Sequence, residues 1–306
     1  MPLSCLRQPV ILMGMSRSGT TLVAELLAHL GLFLGNPLQK DHEAKYFYAV
    51  NSMLLAQVHA SWDYPSPARI FQDCAEAVDM TARCLEADLS SYRTFYYLGL
   101  KQSLQYRFLG RYPHPWGWKD PANVFTLPLW QRVFPNAKIV CLVRNGVDVA
   151  SSLTARERAL MTRRRARFER RFGTPSVRSK LERAGFKGAV RCLSLEGSFS
   201  LWEEYVAQAE EILSSIPNER RVIQFENFLA QPEDHVLDLA QFCELKIDQK
   251  SIEEAVKRIN PMRANAYALN PTLRNFHQKV STTRWMVHYG YGEADGSFGH
   301  ASSNKT

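Results

Sequence analysis

Short apolar runs alternate along the chain with longer stretches in which apolar positions recur at helical spacing. Runs of four to six residues that contain Val or Ile predict buried strands at Val10–Met13, Lys138–Val143 and 221–225. A helical pattern follows each run, and the pattern over 20–30 places its leucines on one face. Because strands that alternate with helices form a parallel sheet, the chain is predicted to be an α/β protein with helices on both faces of that sheet.

The remaining amphipathic stretches predict helices over 43–59, 75–98, 124–134, 195–216 and 235–243. No internal repeat is visible, and a length of 306 residues is sufficient for one domain, which we expect to occupy 1–290. The last residues, 291–306, are rich in Gly and Ser, and we expect them to form a disordered tail.

A glycine-flanked loop follows the first predicted strand and opens directly into the first predicted helix. Gly14 and Gly19 let the backbone curl so that its N–H groups converge on an anion at the helix N-terminus. The spacing matches the Walker A phosphate-binding loop, except that Thr20 stands where that loop requires Lys and the positive charge lies inside the loop, at Arg17. The loop therefore predicts a P-loop-type parallel sheet with a phosphate site, and the missing Lys argues against ordinary ATP chemistry.

A second candidate anion site follows the predicted strand Lys138–Val143. Arg144 lies at the carboxyl end of that strand, where parallel sheets bind their ligands. Asn145 is predicted to cap the next helix, with Asp148 completing a capping box. Ser152 lies on that helix eight residues after Arg144, and an arginine beside a helix hydroxyl can hold a phosphate.

The net charge of +8 is concentrated in one segment. Residues 156–191 contain thirteen Lys or Arg and three Glu, an excess of +10, whereas the rest of the chain sums to −2. This segment is either a solvated helical face or a surface that attracts an anionic acceptor, and we expect it to be mobile without ligand. Few aromatic residues are interleaved with its arginines, so nucleic acid is not an expected partner.

Cysteine usage and hydropathy favour a cytoplasmic protein. The six cysteines are scattered with no Cys-x-x-Cys pair, which disfavours a zinc site or a disulfide framework. The apolar runs are too short to span a bilayer, and residues 1–8 lack the apolar core of a signal peptide. We therefore expect a cytoplasmic location and no transmembrane segment.

Together the two anion sites resemble those of the sulfotransferases that use 3′-phosphoadenosine 5′-phosphosulfate (PAPS). In that family a Pro-Arg/Lys-Ser-Gly-Thr-Thr loop binds the 5′-phosphosulfate, and a strand that ends in Arg, with Ser eight positions later, binds the 3′-phosphate. Both patterns occur here, with Ser16 in place of the usual Pro. The block Lys119-Asp120-Pro121, followed by Phe-Pro-Asn-Ala-Lys from Phe134, resembles most the tyrosylprotein sulfotransferases and their bacterial relatives.

The resemblance implies which residues hold the donor. The 5′-phosphosulfate would contact Arg17, Ser18, Gly19, Thr20 and Thr21. The 3′-phosphate, which distinguishes PAPS from ATP, would be clamped by Arg144 and Ser152. PAPS would be the co-substrate and PAP the product, and no metal would be required.

The resemblance also implies which residues carry the chemistry. Lys119 would stabilise charge on the sulfuryl group or on the leaving oxygen, with Arg17 beside it. Related carbohydrate sulfotransferases have a Glu four residues before a Phe, just after the first helix, and Glu43 occupies the matching position here. Glu43 is therefore the candidate base for the acceptor proton, with Asp41 and His42 as the alternatives.

The implied reaction is the transfer of a sulfuryl group from PAPS to an acceptor hydroxyl, giving PAP and a sulfate ester. The acceptor is expected to be a carbohydrate, a lipid or a peptide, and an anionic one if the basic segment attracts it. Two other functions remain open. One is a P-loop small-molecule kinase, against which Thr20 and Arg144 count, and the other is a non-catalytic anion-binding module.

Overall fold

The computed structural model describes residues 7–172 and 189–292, with side chains described for 7–166 and 189–292. Within these residues the centre of the molecule is a parallel sheet of four strands in the order β2-β1-β3-β4. The strands are β1 (Val10–Met13), β2 (Gly117–Lys119), β3 (Lys138–Val143) and β4 (Arg220–Gln224). The predicted α/β fold is confirmed.

The three predicted strands are present, and the run predicted at 221–225 is shifted by one residue to Arg220–Gln224. The short edge strand β2 has no comparable sequence signal. It is three residues long, and its Gly-Trp-Lys sequence contains no β-branched side chain.

Helices connect the strands throughout the described residues. They are α1 (Thr20–His29), α2 (Lys45–Gln57), α3 (Ile70–Asp73), α4 (Ala75–Leu89), α5 (Phe95–Tyr106), α6 (Asn123–Val133), α7 (Gly146–Phe172), α8 (Leu195–Ser215), α9 (Phe225–Ala230), α10 (Pro232–Phe242), α11 (Gln249–Val256), α12 (Pro271–Val280) and α13 (Arg284–His288). The single helix predicted over 75–98 is wrong. α4 ends at Leu89, and Ser91 then caps a short turn before α5, since its Oγ accepts a hydrogen bond from Arg93 N.

Helices cover both faces of the sheet, as predicted. Ile11 and Met13 of β1 belong to an apolar cluster with α2, α4, α6 and α8. Val10 and Leu12 belong to the opposite cluster, which includes α1, α9, α10 and α11. The four β1 side chains are at most 3% exposed. Because both faces are buried, the carboxyl edge of the sheet is where functional side chains can reach a ligand.

The basic segment begins on a helix that starts at the sheet. α7 runs from Gly146, just after β3, to Phe172, so Arg156 and the arginines that follow it continue the helix that carries Ser152. The rest of this segment, 173–188, and the expected tail beyond residue 292 lie outside the described residues. Among the described helices, none is long and apolar enough to cross a membrane.

Candidate active site

The glycine-flanked loop connects β1 to α1 at the carboxyl edge of the sheet. Gly14 and Gly19 have φ values of 131° and 92°, in the region that favours glycine. A Cβ atom would overlap the carbonyl oxygen of Leu142 at the first position and the ring of Phe225 at the second. The amides of the first turn of α1 have no intrahelical acceptor, because the helix's own hydrogen bonds begin at Val23 N. The loop therefore offers backbone donors to an anion.

Arg17 links this loop to α7. Its Nε donates to Ser152 Oγ over 2.8 Å, so the hydroxyl expected beside Arg144 contacts Arg17. Burial lowers the pKa of Arg17, and the charge of Arg156 lowers it further. The charge of Asp41 raises this pKa, whereas the charges of Arg263 and Arg144 lower it. Positive charge is thus concentrated around the loop, as an anion-binding site requires.

Arg144 extends from the end of β3 across the same region. Its Nη1 donates to Arg17 O at 3.3 Å, and its Nη2 donates to Arg263 O at 2.8 Å. The guanidinium lies over the Phe225 ring, with 5.0 Å between Cζ and the ring centroid. Its Nε is buried and has no hydrogen-bond partner among the described residues. Because a buried donor without an acceptor is costly, this atom suits a ligand oxygen.

Asp148 holds a later segment of the chain against Arg144. Its carboxylate accepts from Arg144 Nη2 at 3.1 Å and from the backbone N–H groups of Ala266 and Tyr267 at 3.1 and 2.7 Å. This anchoring fixes the segment that carries Arg263. The side chain of Asp148 therefore serves tertiary structure at the edge of the cleft.

The capping of α7 follows the prediction only in part. Asn145 caps the helix, since its Oδ1 accepts from Val147 N at 2.9 Å. The predicted capping box is wrong, because Asn145 N donates to Glu226 Oε1 at 3.1 Å and Asp148 is engaged elsewhere. Glu226 also accepts from the Tyr291 hydroxyl at 2.7 Å, and burial raises the pKa of this carboxyl.

Lys119 and Glu43 form a buried ion pair. Lys119 ends β2, and its Nζ lies 2.9 Å from Glu43 Oε1, with the two side chains 3% and 12% exposed. The same Nζ donates to Asp41 O at 3.1 Å. Thr21 Oγ1 donates to that oxygen as well, at 3.4 Å. The Asp41 carbonyl therefore joins the ion pair to the first turn of α1.

The two alternative bases have other surroundings. Asp41 lines the cleft beside the loop. His42 places Nε2 3.3 Å from Glu25 Oε1 on α1. Of the three candidates, Glu43 is the one whose side chain contacts Lys119.

Asp120, which directly follows Lys119, is buried in a polar network. Its Oδ1 accepts from Ala122 N and its Oδ2 accepts from Asn51 Nδ2, both at 2.9 Å. Burial raises the pKa of Asp120 to about 7, and the charge of Glu43 adds to this effect. These hydrogen bonds fix the turn after β2 and with it the position of Lys119.

The loop and Arg144 line one cleft of about 220 Å³. Its lining comprises Arg17, Gly19, Thr20, Thr21, Leu22, Glu25, Asp41, Arg144, Phe225 and Arg263. Ser18, the loop residue before Gly19, is only 1% exposed and does not line the cleft. The structure thus brings most of the predicted donor-binding residues to one place, with the Lys119–Glu43 pair attached through Asp41.

Four residues of this cleft are absent from the sequence prediction of the site: Leu22, Glu25, Phe225 and Arg263. Phe225 had a usable signal, because it is the last residue of the strand predicted at 221–225 and therefore lies at the carboxyl edge of the sheet. Arg263 had none. It lies in a short turn, Pro261–Arg263, and reaches the cleft only through the fold.

Comparison with known proteins identifies the family. A model of the sulfotransferase family matches residues 9–249. The chain belongs to the sulfotransferase family. The matched region begins at β1 and includes the loop, the Lys119–Glu43 pair and Arg144. No curated protein matches the chain significantly.

Three solved sulfotransferase structures are similar to the chain. The sulfotransferase domain from the curacin biosynthetic pathway is 16% identical over 90% of this chain and 98% of its own, with a TM-score of 0.48. The sulfotransferase domain from the Synechococcus PCC 7002 olefin synthase is 13% identical over 85% of this chain and 86% of its own, with a TM-score of 0.45. Sulfotransferase STF1 from Mycobacterium tuberculosis H37Rv is 13% identical over 91% of this chain and 77% of its own, with a TM-score of 0.46.

Proposed function

We propose that the protein transfers a sulfuryl group from PAPS to a hydroxyl group of an acceptor, giving PAP and a sulfate ester. The observation that carries this proposal is the meeting of two anion-binding groups in one cleft. The loop before α1 supplies one, and the guanidinium of Arg144, 3.3 Å from Arg17 O, supplies the other. PAPS has anionic groups at both its 5′ and its 3′ positions, so it can engage both.

The two ends of the donor would be held by different kinds of group. The 5′-phosphosulfate would accept from the backbone amides of the first turn, from the Thr20 and Thr21 hydroxyls and from Arg17. The 3′-phosphate would accept from Arg144, whose buried Nε has no partner among the described residues. Ser152 would fix the position of Arg17 through their 2.8 Å hydrogen bond, and so the position of the 5′-phosphosulfate relative to the 3′-phosphate.

Lys119 and Glu43 would carry the transfer step. The acceptor oxygen forms a bond to sulfur as the bond between sulfur and the bridging phosphate oxygen breaks, and the acceptor proton passes to Glu43. Lys119 would stabilise the charge that develops on the leaving oxygen. The ion pair of 2.9 Å between them supports these roles, because it holds the carboxylate and the ammonium group at one point.

Thermal unfolding with PAP, ATP and Mg-ATP tests the donor. We expect PAP without metal, at about one hundred times its dissociation constant, to raise the melting temperature by about 5 °C. Arg144→Ala should abolish that rise. Arg221→Ala is the matched control, because Arg221 lies on β4, pairs with Asp238 of α10 and does not line the cleft.

The same titration separates the other functions. Stabilisation by Mg-ATP alone would contradict the proposal and favour a kinase. Stabilisation by PAP with no transfer to any acceptor, unchanged in Lys119→Met and Glu43→Gln, would favour a non-catalytic binding module.

A further inference from the structure

A larger cavity, of about 980 Å³, runs along α2 and is separate from the donor cleft. Its walls come from α2, from α4 and from the segment that leads into α5. Most of its lining side chains are apolar, including Val50, Met53, Leu54, Met80, Leu85 and Tyr96. The volume of this cavity and its mostly apolar lining are typical of a site for a small molecule rather than of a flat protein interface.

The apolar lining is open to solvent. Met53 is 48% exposed, Met80 66% and Tyr96 62%. Apolar side chains that are clustered and exposed to water in this way commonly mark a binding site. The cavity is therefore a built groove, since a packing defect would be enclosed.

Three polar residues of the groove, Tyr46, Asp88 and Arg93, are paired with each other, and Lys45, Gln57 and Thr81 also line it. Asp88 accepts from the Tyr46 hydroxyl at 2.6 Å and from Arg93 Nη1 at 3.2 Å. Because these contacts satisfy the carboxylate and most of the lining is apolar, the groove favours hydrocarbon over a polar ligand such as a sugar.

One end of the groove is lined by residues that lie close along the chain to Glu43, which does not itself line the groove. α2 begins at Lys45, two residues after Glu43, and Lys45 lines the groove. Two residues span at most ~7 Å. Lys45 N also donates to Pro37 O at 3.2 Å, and Pro37 lines the same end. The segment 37–44 thus borders the groove at Pro37 and the donor cleft at Asp41.

We infer that this groove binds the hydrocarbon part of the acceptor, so that the acceptor is an alcohol with a long apolar body. The inference rests on the proposed sulfuryl transfer. The alcohol would lie along α2, whose groove-lining length from Lys45 to Gln57 is ~18 Å. Its oxygen would reach Glu43 and take the sulfuryl group, the proton would pass to Glu43, and an alkyl sulfate and PAP would leave. Of the three expected acceptor classes, the groove selects the lipid-like one.

A series of primary alkanols tests the inference. With PAPS as donor, we expect kcat/KM to rise about threefold for each added methylene from hexanol to dodecanol, because each buries hydrocarbon in the groove. Glucose and a tyrosine-containing peptide serve as hydrophilic acceptors and should be poor substrates. Binding of PAP is measured first in the same preparation, so that a failed donor site is recognised separately from a failed acceptor site.

Two groove variants and one control locate the effect. Met53→Glu places a charge in the groove, and Ala49→Trp fills it without adding charge; both should raise KM for dodecanol at least tenfold and leave PAP binding unchanged. Leu104→Glu is the control, because Leu104 is a 76% exposed side chain on α5 that does not line the groove. Displacement of anilinonaphthalene sulfonate by dodecanol gives a readout that does not depend on turnover.

Several results would overturn the inference. Transfer to glucose or to the peptide with no dependence on alkanol length would do so, as would absence of alkanol binding and turnover in a protein that binds PAP. If Met53→Glu and Leu104→Glu changed the KM for dodecanol equally, the alkanol would bind outside the groove. Sedimentation showing a dimer that Met53→Glu dissociates would assign the groove to a second copy of the chain.

Discussion

The ammonium group of Lys119 lies 2.9 Å from the carboxylate of Glu43 and is almost wholly buried with it. This contact joins the end of β2 to the residue pair that precedes α2. It gives both side chains one fixed geometry beside the donor cleft. Because both side chains are buried, water has little access to compete with either partner of the ion pair.

Glu43→Gln should lower kcat at least a hundredfold, because the amide keeps the size of the side chain and cannot accept the acceptor proton. The PAP-induced rise in melting temperature should persist. Initial rates under saturating PAPS measure the first effect, and thermal unfolding measures the second. Asp41→Asn and His42→Gln are the controls. Loss of kcat in either of these, with Glu43→Gln active, would assign the base elsewhere.

Ser152→Ala should weaken PAP binding about fivefold, because Arg17 loses the hydroxyl that orients it and a hydrogen bond of this kind contributes about 1 kcal/mol. Calorimetric titration with PAP gives the dissociation constant directly. Ser151→Ala, one position earlier on α7, should bind PAP like the unaltered protein. Equal dissociation constants in the two variants would show that the contact between Arg17 and Ser152 does not serve the donor.

Gly19→Ala should abolish PAP binding, whereas Gly31→Ala should not. Both glycines have positive φ, 92° and 107°, so both variants carry the left-handed strain of about 1–2 kcal/mol. A Cβ at Gly19 would overlap the Phe225 ring, and a Cβ at Gly31 meets no atom within 4 Å. Melting temperature and PAP titration of the two proteins separate backbone strain from displacement of the loop. A PAP affinity retained in Gly19→Ala would contradict this account of the loop.

Asp120 should make the free energy of unfolding fall as the pH rises from 3.8 to about 7. Its native pKa of about 7 exceeds the ordinary value of 3.8, because burial and then the charge of Glu43 favour the protonated form. The native state therefore holds a proton that the unfolded chain releases, and stability declines by up to about 1.4 kcal/mol per pH unit in that window. Urea unfolding across the window should show this decline, relative to Asp120→Asn, and no further decline above it.

Leu104→Ala is the control for that experiment, because Leu104 is a 76% exposed side chain that carries no titratable group. It should leave the difference from the unaltered protein flat over the same pH range. A flat difference for Asp120→Asn as well would mean that Asp120 stays ionised in the native state.

Much of the sheet and of the donor cleft could be predicted from local patterns. β1 and β3 are buried on both faces and read as continuous apolar runs, and the glycines that follow β1 mark a turn with positive φ values that other residues rarely adopt. β2 could not be predicted, because three residues are held in the sheet by their neighbours rather than by their own preference.

The failures in the site have a common physical reason. The capping box at Asn145 failed because Asp148 found better partners, two backbone N–H groups more than 100 positions later. Arg263 was not identifiable because that same anchoring brings it to the cleft. Contacts of this kind depend on tertiary structure, and no spacing along the chain records them.

The ring of Phe225 packs both against Gly19 of the loop and against the guanidinium of Arg144. If the ring moved to make room for a larger residue in place of Gly19, the guanidinium of Arg144 would lose the surface on which it packs. The two halves of the cleft are therefore not interchangeable modules. A loop grafted from another protein would have to bring with it the residue that begins α9. A substitution at Gly19 or at Phe225 would likewise require a compensating substitution at the other position.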